Sequence, residues 1–148
     1  MNKNIVIKIA DPHEWQSIQA IRCTVFQHEQ GVDPALEFDG KDNTAQQIIA
    51  YLDNEPVGTA RVRYLDEKTA KIERLAVLST ARGYGIGTKL MQLALDIAAE
   101  NQRDEAIIHA QAYIKQLHQQ LGFVQEGETF DGAGIPHVKM RRKLQATS

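Results

Sequence analysis

The apolar positions of the chain change period several times, and each change marks an element. NIVIKIA, residues 4–10, is a short β-rich run that Asp11-Pro12 ends. From about Glu14 to Gln30 the spacing turns helical. Ile18, Ile21 and Val25 recur three and four residues apart, with Trp15 and Phe26 beside them, until Gly31 stops the run. This predicts a first helix. GVDPALEFDGKDN, which follows, is acidic and rich in turn formers and reads as a loop or a broken helix.

Three strands come next in quick succession. AQQIIAYL turns at Asp53-Asn54 into EPVGTARVRYL, which turns at Asp66-Glu67 into TAKIERLAVL. Turns this short join only antiparallel neighbours, because a parallel partner needs a crossover of about a dozen residues or more. After a glycine-rich loop, Ile86, Leu90, Leu93, Ala94, Ile97 and Ala98 form one apolar stripe of a long helix. DEAIIHAQA then reads as a buried strand, YIKQLHQQL as a short helix closed by Gly122, and GFVQEGETF and IPHVKMRRKL as two last strands. The order β-α-β-β-β-α-β-α-β-β predicts the α/β class, an α+β mixed sheet with helices packed on it.

Composition narrows the function classes. A chain of 148 residues with 43% hydrophobic content suits one domain, residues 1–148, around one core. Its net charge of -2, from 17 basic and 19 acidic residues, gives no general attraction for nucleic acid or for an anionic membrane. Any anion site must be local. The lone Cys23 has no intrachain disulfide partner and belongs to no thiolate metal cage, which points to the reducing cytoplasm. It reads as a small apolar filler in the first helix. The N-terminal apolar stretch is too short and interrupted for a signal peptide, and no segment approaches the roughly 20 apolar residues of a membrane span.

The local site is ARGYGIG, residues 81–87, at the start of the long helix. A P-loop is excluded, since Thr88-Lys89 stands in the reverse of the required order. A dinucleotide fingerprint is excluded as well: the third glycine is needed at 88 or 90, where Thr88 and Leu90 stand. The loop also follows an antiparallel meander and not the first strand of a parallel unit. The physics of a helix start still holds. Glycines let backbone N–H groups converge, the helix dipole adds partial positive charge, and Arg82 adds a full one. An anion is expected there, a pyrophosphate above others.

ERLAVLSTARGYGIGTKLM resembles motif A of the GNAT superfamily of acetyltransferases, in which Arg or Gln, two residues, Gly, one residue, and Gly or Ala follow in order; Arg82, Gly85 and Gly87 fill the fixed positions. IRCTVFQHEQ, EFDGKDN, GTARVR, HAQ and LGFVQEGETF resemble a small bacterial subgroup of poorly defined substrate. The resemblance implies the GNAT fold, with splayed strands around coenzyme A. It implies acetyl-CoA as co-substrate without a metal, Ala76 and Val77 along the pantetheine arm, and the backbone of Arg82, Gly83, Tyr84, Gly85, Ile86, Gly87 and Thr88 around the pyrophosphate. It also assigns the oxyanion donor to the Val77 N–H.

Acetyl transfer from a thioester to an amine needs a proton acceptor for the amine, a donor for the oxyanion and an acid for the thiolate. Glu73, on the strand entering motif A and on the face opposite Ile72, is the base candidate; an ion pair with Arg61, Arg63 or Arg74 is its structural alternative. Where many GNAT proteins carry the acidic tyrosine, this chain has His118, which reads as a substitute donor or as tunnel lining, with Tyr113 in reserve. Helix 1 and the loop after it wall the acceptor site in the family, which makes Arg22, Phe26, Glu29 and Gln30 substrate-binding candidates. His109 and His137 could line the same cleft. Glu37, Asp39 and Asp42 would suit a cationic acceptor, whereas Arg61 and Arg63 would suit an anionic group. The expectation is an N-acetyltransferase that moves the acetyl group to a primary amine of a small molecule or peptide by direct attack in a ternary complex. An acyl-CoA sensor with little turnover is the alternative, and a homodimer is left open.

Overall fold

The computed structural model describes residues 3–144. Seven strands form one sheet: β1 (Ile5–Ile9), β2 (Gln46–Leu52), β3 (Glu55–Tyr64), β4 (Thr69–Val77), β5 (Glu105–Gln111), β6 (Val124–Gly132) and β7 (Ile135–Lys143), in the spatial order β1-β2-β3-β4-β5-β7-β6. Every pairing is antiparallel except β4 with β5. The β2–β3 turn matches its sequence: Asp53 and Asn54 take φ of 49° and 69°, the pair of positive angles that a type I′ hairpin requires.

The helices divide between the two faces of the sheet. Helix α3 (Ile86–Glu100) lays its stripe of Ile86, Leu90, Ala94 and Ile97 on Ile48, Ala60, Val62 and Ile72, and these residues form the main core. Gly58 permits the close approach, since a Cβ there would stand 3.0 Å from Leu90 Cδ1. Helix α1 (Trp15–Arg22) packs on β3 and β4 from the other side. The short α4 (Lys115–Gln120) follows β5.

One segment differs from expectation, and the next takes the broken-helix alternative. The first helix is not uniform: beyond Arg22 it widens into a π-helical stretch, Cys23–Glu29, in which Gln30 N donates to Val25 O five residues back. The wider turn lets the adjacent Val25 and Phe26 both turn inward. The loop after it is ordered by a four-residue helix α2 (Pro34–Glu37), capped by the Asp33 side chain, and by a tight turn at Asp42–Thr44.

Candidate active site

The sheet opens at its parallel junction. β4 and β5 pair only from Thr69 to Lys71 against Glu105 to Ile107, and then diverge. The cause lies in β4. Its register with β3 slips between Thr59 and Arg61, and Arg74 within the slip takes a φ of 57°, a left-handed conformation that a bulky residue adopts only under constraint. Two hydrogen bonds supply the constraint: Arg74 Nε donates to Glu37 O at 3.1 Å and its Nη2 to Leu36 O at 3.2 Å, which ties the bulge to α2.

A cavity of about 630 Å³ fills the gap. Ile72 to Val77 line one side and Ile108 to Gln111 the other. Leu78 N donates to Val57 O on the β3 side; the N–H groups of an antiparallel strand alternate in direction, so the Val77 N–H points into the gap. At the cavity's end lies the glycine loop. Gly83 and Gly85 take φ of 93° and 75°, and a side chain added at either would touch nothing, so the sign of φ and not crowding calls for glycine. The loop delivers the free first-turn amides of α3 to the cavity, with Arg82, Gly83, Gly85, Ile86, Gly87 and Thr88 in its lining. Tyr84 does not line it and is 41% exposed. Arg82 spans the mouth, donating from Nε to Val77 O at 3.1 Å and from Nη2 to Glu29 at 2.5 Å.

The charged residues on the α1 side of the sheet are joined to one another. Arg22, fully buried, pairs with Glu37 at 2.5 Å and Asp42 at 2.6 Å. Arg61, also fully buried, pairs with Asp39, Asp42 and Glu73 at 2.6, 3.1 and 3.2 Å. Glu73 is held further by Arg63 and Lys71. Arg22 therefore does not reach the cavity, and of the acidic loop residues only Glu37 lines it, with its Oε1 held by Arg22. Glu29 likewise spends its carboxylate on Arg82 and stands outside the lining. Cys23 is half-buried and away from the cavity.

Two candidates for acid–base work are altered by these surroundings. Burial alone would raise the Glu73 pKa, but the hydrogen bond from Arg63 and the charges of Arg61 and Lys71 outweigh it and hold the carboxyl at about 2. A carboxylate that weakly basic is a poor proton acceptor, and the ion-paired alternative describes Glu73 better. His118 is 3% exposed, edge-on to Phe123 at 5.9 Å, and burial lowers its pKa to about 4. It is neutral at pH 7 and supplies no imidazolium to a leaving thiolate. Its Nδ1 is buried with no hydrogen-bond partner while the ring lines the cavity, so it can still place a polar edge in the tunnel. Tyr113 lies at the mouth, 72% exposed.

Phe26, Gln30, His109 and His137 do line the cavity. Gln30 and Gln111 exchange two amide hydrogen bonds, at 3.0 and 2.7 Å, and so link the end of the π-helical stretch to the end of β5. Lys71, Phe130 and Gln111 join the lining without having been expected there. Alternation alone could have found two of them: Lys71 shares a face with Glu73, and Gln111 shares one with His109.

Comparison with known proteins agrees with this geometry. The family model described as acetyltransferase (GNAT) domain matches residues 12–144. The relative named uncharacterized protein YyaT, of Bacillus subtilis, is 35% identical over 147 residues, 97% of each chain. An acyl-CoA N-acyltransferase structure from Pseudomonas aeruginosa is 29% identical, with a TM-score of 0.80 over 95% of this chain and 99% of that one. A GNAT family acetyltransferase from Elizabethkingia anophelis, solved with acetyl-CoA bound, shares the fold at a TM-score of 0.72 and 19% identity, over 95% of this chain and 99% of that one. The chain belongs to the GNAT acetyltransferase family, and it is an acyltransferase.

Proposed function

We propose that the chain is an acetyl-CoA-dependent N-acetyltransferase whose coenzyme lies in the gap between β4 and β5. The opened parallel junction carries this reading. It offers an unpaired strand edge for an amide-bearing arm and, at its end, a helix N-terminus for a pyrophosphate. Ala76, Val77 and the backbone from Arg82 to Thr88 would hold the coenzyme. The thioester supplies an activated acetyl group.

The chain's own part is to orient and to stabilise. The Val77 N–H, which faces the gap, would donate to the thioester oxygen as it gains charge, a contribution of about 3–4 kcal/mol for a single donor of this kind. An acceptor held beside it attacks directly in a ternary complex, and the rate gain from juxtaposition needs no covalent enzyme intermediate. The neutral His118 gives polar lining to the thiol end. Thiol release from acetyl-CoA in the presence of a panel of primary amines tests the proposal. Amine-dependent release is the expected result.

The depressed basicity of Glu73 and His118 favours one rival, an acyl-CoA sensor with little turnover. Saturable coenzyme binding without release from any amine would establish it.

A further inference from the structure

The acceptor half of the cavity has an unusual electrostatic wall. Glu37, Asp39, Asp42 and Glu73 are joined in one network to Arg22, Arg61, Arg63, Lys71 and Arg74, four carboxylates against five cations. Glu73, the carboxylate in the lining beside Lys71, is fully engaged by cations. Glu37, which also lines the cavity, accepts from Arg22 at Oε1, and its Oε2 is buried without a hydrogen-bond partner. Of this network only Glu37, Glu73, Lys71 and Arg74 reach the lining, and both carboxylates are already held by cations, so an ammonium ion would meet no carboxylate without a cation. The lining there also holds the apolar or aromatic Val25, Phe26, Val32, Leu36 and Phe130, with the mutually paired amides of Gln30 and Gln111.

Within that wall stands a group able to take a proton. His109 shares the face of β5 that bears Gln111, is exposed, and has no hydrogen-bond partner at either ring nitrogen among the described residues. Phe130 packs edge-on against it at 5.4 Å and stacks on His137 at 5.8 Å. His137 is fixed in turn by the bond between its Nδ1 and Ile135 O at 2.7 Å, over Gly132, where a Cβ would stand 2.6 Å from the ring.

Building on the acetyltransferase reading, we propose that the acceptor is a weakly basic amine that arrives uncharged on an aromatic or apolar body, and that His109 takes the proton it loses. The amine nitrogen forms a bond to the thioester carbonyl carbon, the carbon–sulfur bond breaks, and the thiolate leaves with the electron pair. The nitrogen's surplus proton passes to the neutral imidazole, and solvent protonates the thiolate. The groups facing His109 are Lys71 and Glu73 on β4 and Lys139 and His137 on β7. Burial, Lys71, Lys139 and His137 lower its pKa and Glu73 opposes them, with a net fall from the ordinary value of 6.5, so the ring is free to accept at neutral pH.

The test compares aniline with benzylamine and spermidine as acceptors at pH 7, reading thiol release from acetyl-CoA. Aniline is expected to exceed both in kcat/KM by at least about tenfold. A faster reaction with benzylamine or spermidine overturns the proposal, and so does no release from aniline while acetyl-CoA still raises the melting temperature. Loss of that thermal shift would instead undo the coenzyme reading itself. His109→Gln is expected to lower kcat about 100-fold or more with the coenzyme shift retained. It should also erase an acid limb that the wild-type profile shows below pH 6.5. An unchanged kcat and profile in the variant, or no such limb in the wild type, removes His109 from the role.

Discussion

Burial pulls Glu73 and His118 in opposite directions, and the neighbours decide where each ends. Glu73 has cations within 3.3 Å and stays charged; His118 has an aromatic ring and no charge, and stays neutral. The consequences for stability differ in sign of residue and agree in direction. His118 has a folded pKa of about 4 against about 6.5 unfolded, so the unfolded chain binds the extra proton between those values and stability falls as pH drops through them. His118→Phe should remove up to about 3 kcal/mol of that acid loss, seen as a flatter melting temperature between pH 7 and pH 4. Glu73, held at about 2, contributes stability that is present above its unfolded value and lost as pH falls toward 2. Glu73→Gln should cost about 3 kcal/mol at pH 7 by leaving Arg61 under-compensated, read by urea unfolding. Arg82, Gly85 and Gly87 were readable one by one because the loop is a local device. The contacts of Arg22, Arg61 and Arg74 with the loop after the first helix were not, since the partners there lie 15 to 38 residues away in sequence and alternation gives only the face, not the contact.

At the scale of elements, β4 and the loop from Val32 to Ala45 form one working unit. Arg74 binds two carbonyls of α2, those of Leu36 and Glu37, while Arg22 and Arg61 share Asp42 beneath. Such a network resists partial removal. Arg22→Ala would leave Glu37 and Asp42 without their cation in a buried place and should lower stability by about 3–5 kcal/mol, measured by urea unfolding. Arg22→Lys should recover only part, because a single ammonium cannot repeat the guanidinium's separate bonds from Nε to Glu37 and from Nη1 to Asp42. Strand and helix order followed from period and turn chemistry. The bulge did not, because a positive φ at Arg74 is imposed by register with β3 and by α2, and nothing in RLAV announces it. The π-helical widening escaped for a similar reason: a spacing of Ile18, Ile21 and Val25 fits a uniform helix equally well.

For the whole molecule, the site follows from how two antiparallel halves meet. A meander, β1 to β4, and a set from β5 to β7 can each pair fully within themselves, and their parallel junction is where the sheet yields. Helix α3 crosses from one half to the other and brings its N-terminus to the opening. Among the described residues no helix is long and apolar enough to cross a membrane. The central claim is that this opening binds acetyl-CoA, and thermal unfolding with and without the coenzyme tests it most directly. At a concentration 100 times its dissociation constant the coenzyme should add about 2.7 kcal/mol, a rise of about 5–10 °C in melting temperature. Arg82→Glu should abolish most of that rise. A wild-type protein whose melting temperature does not move at millimolar acetyl-CoA would contradict the account.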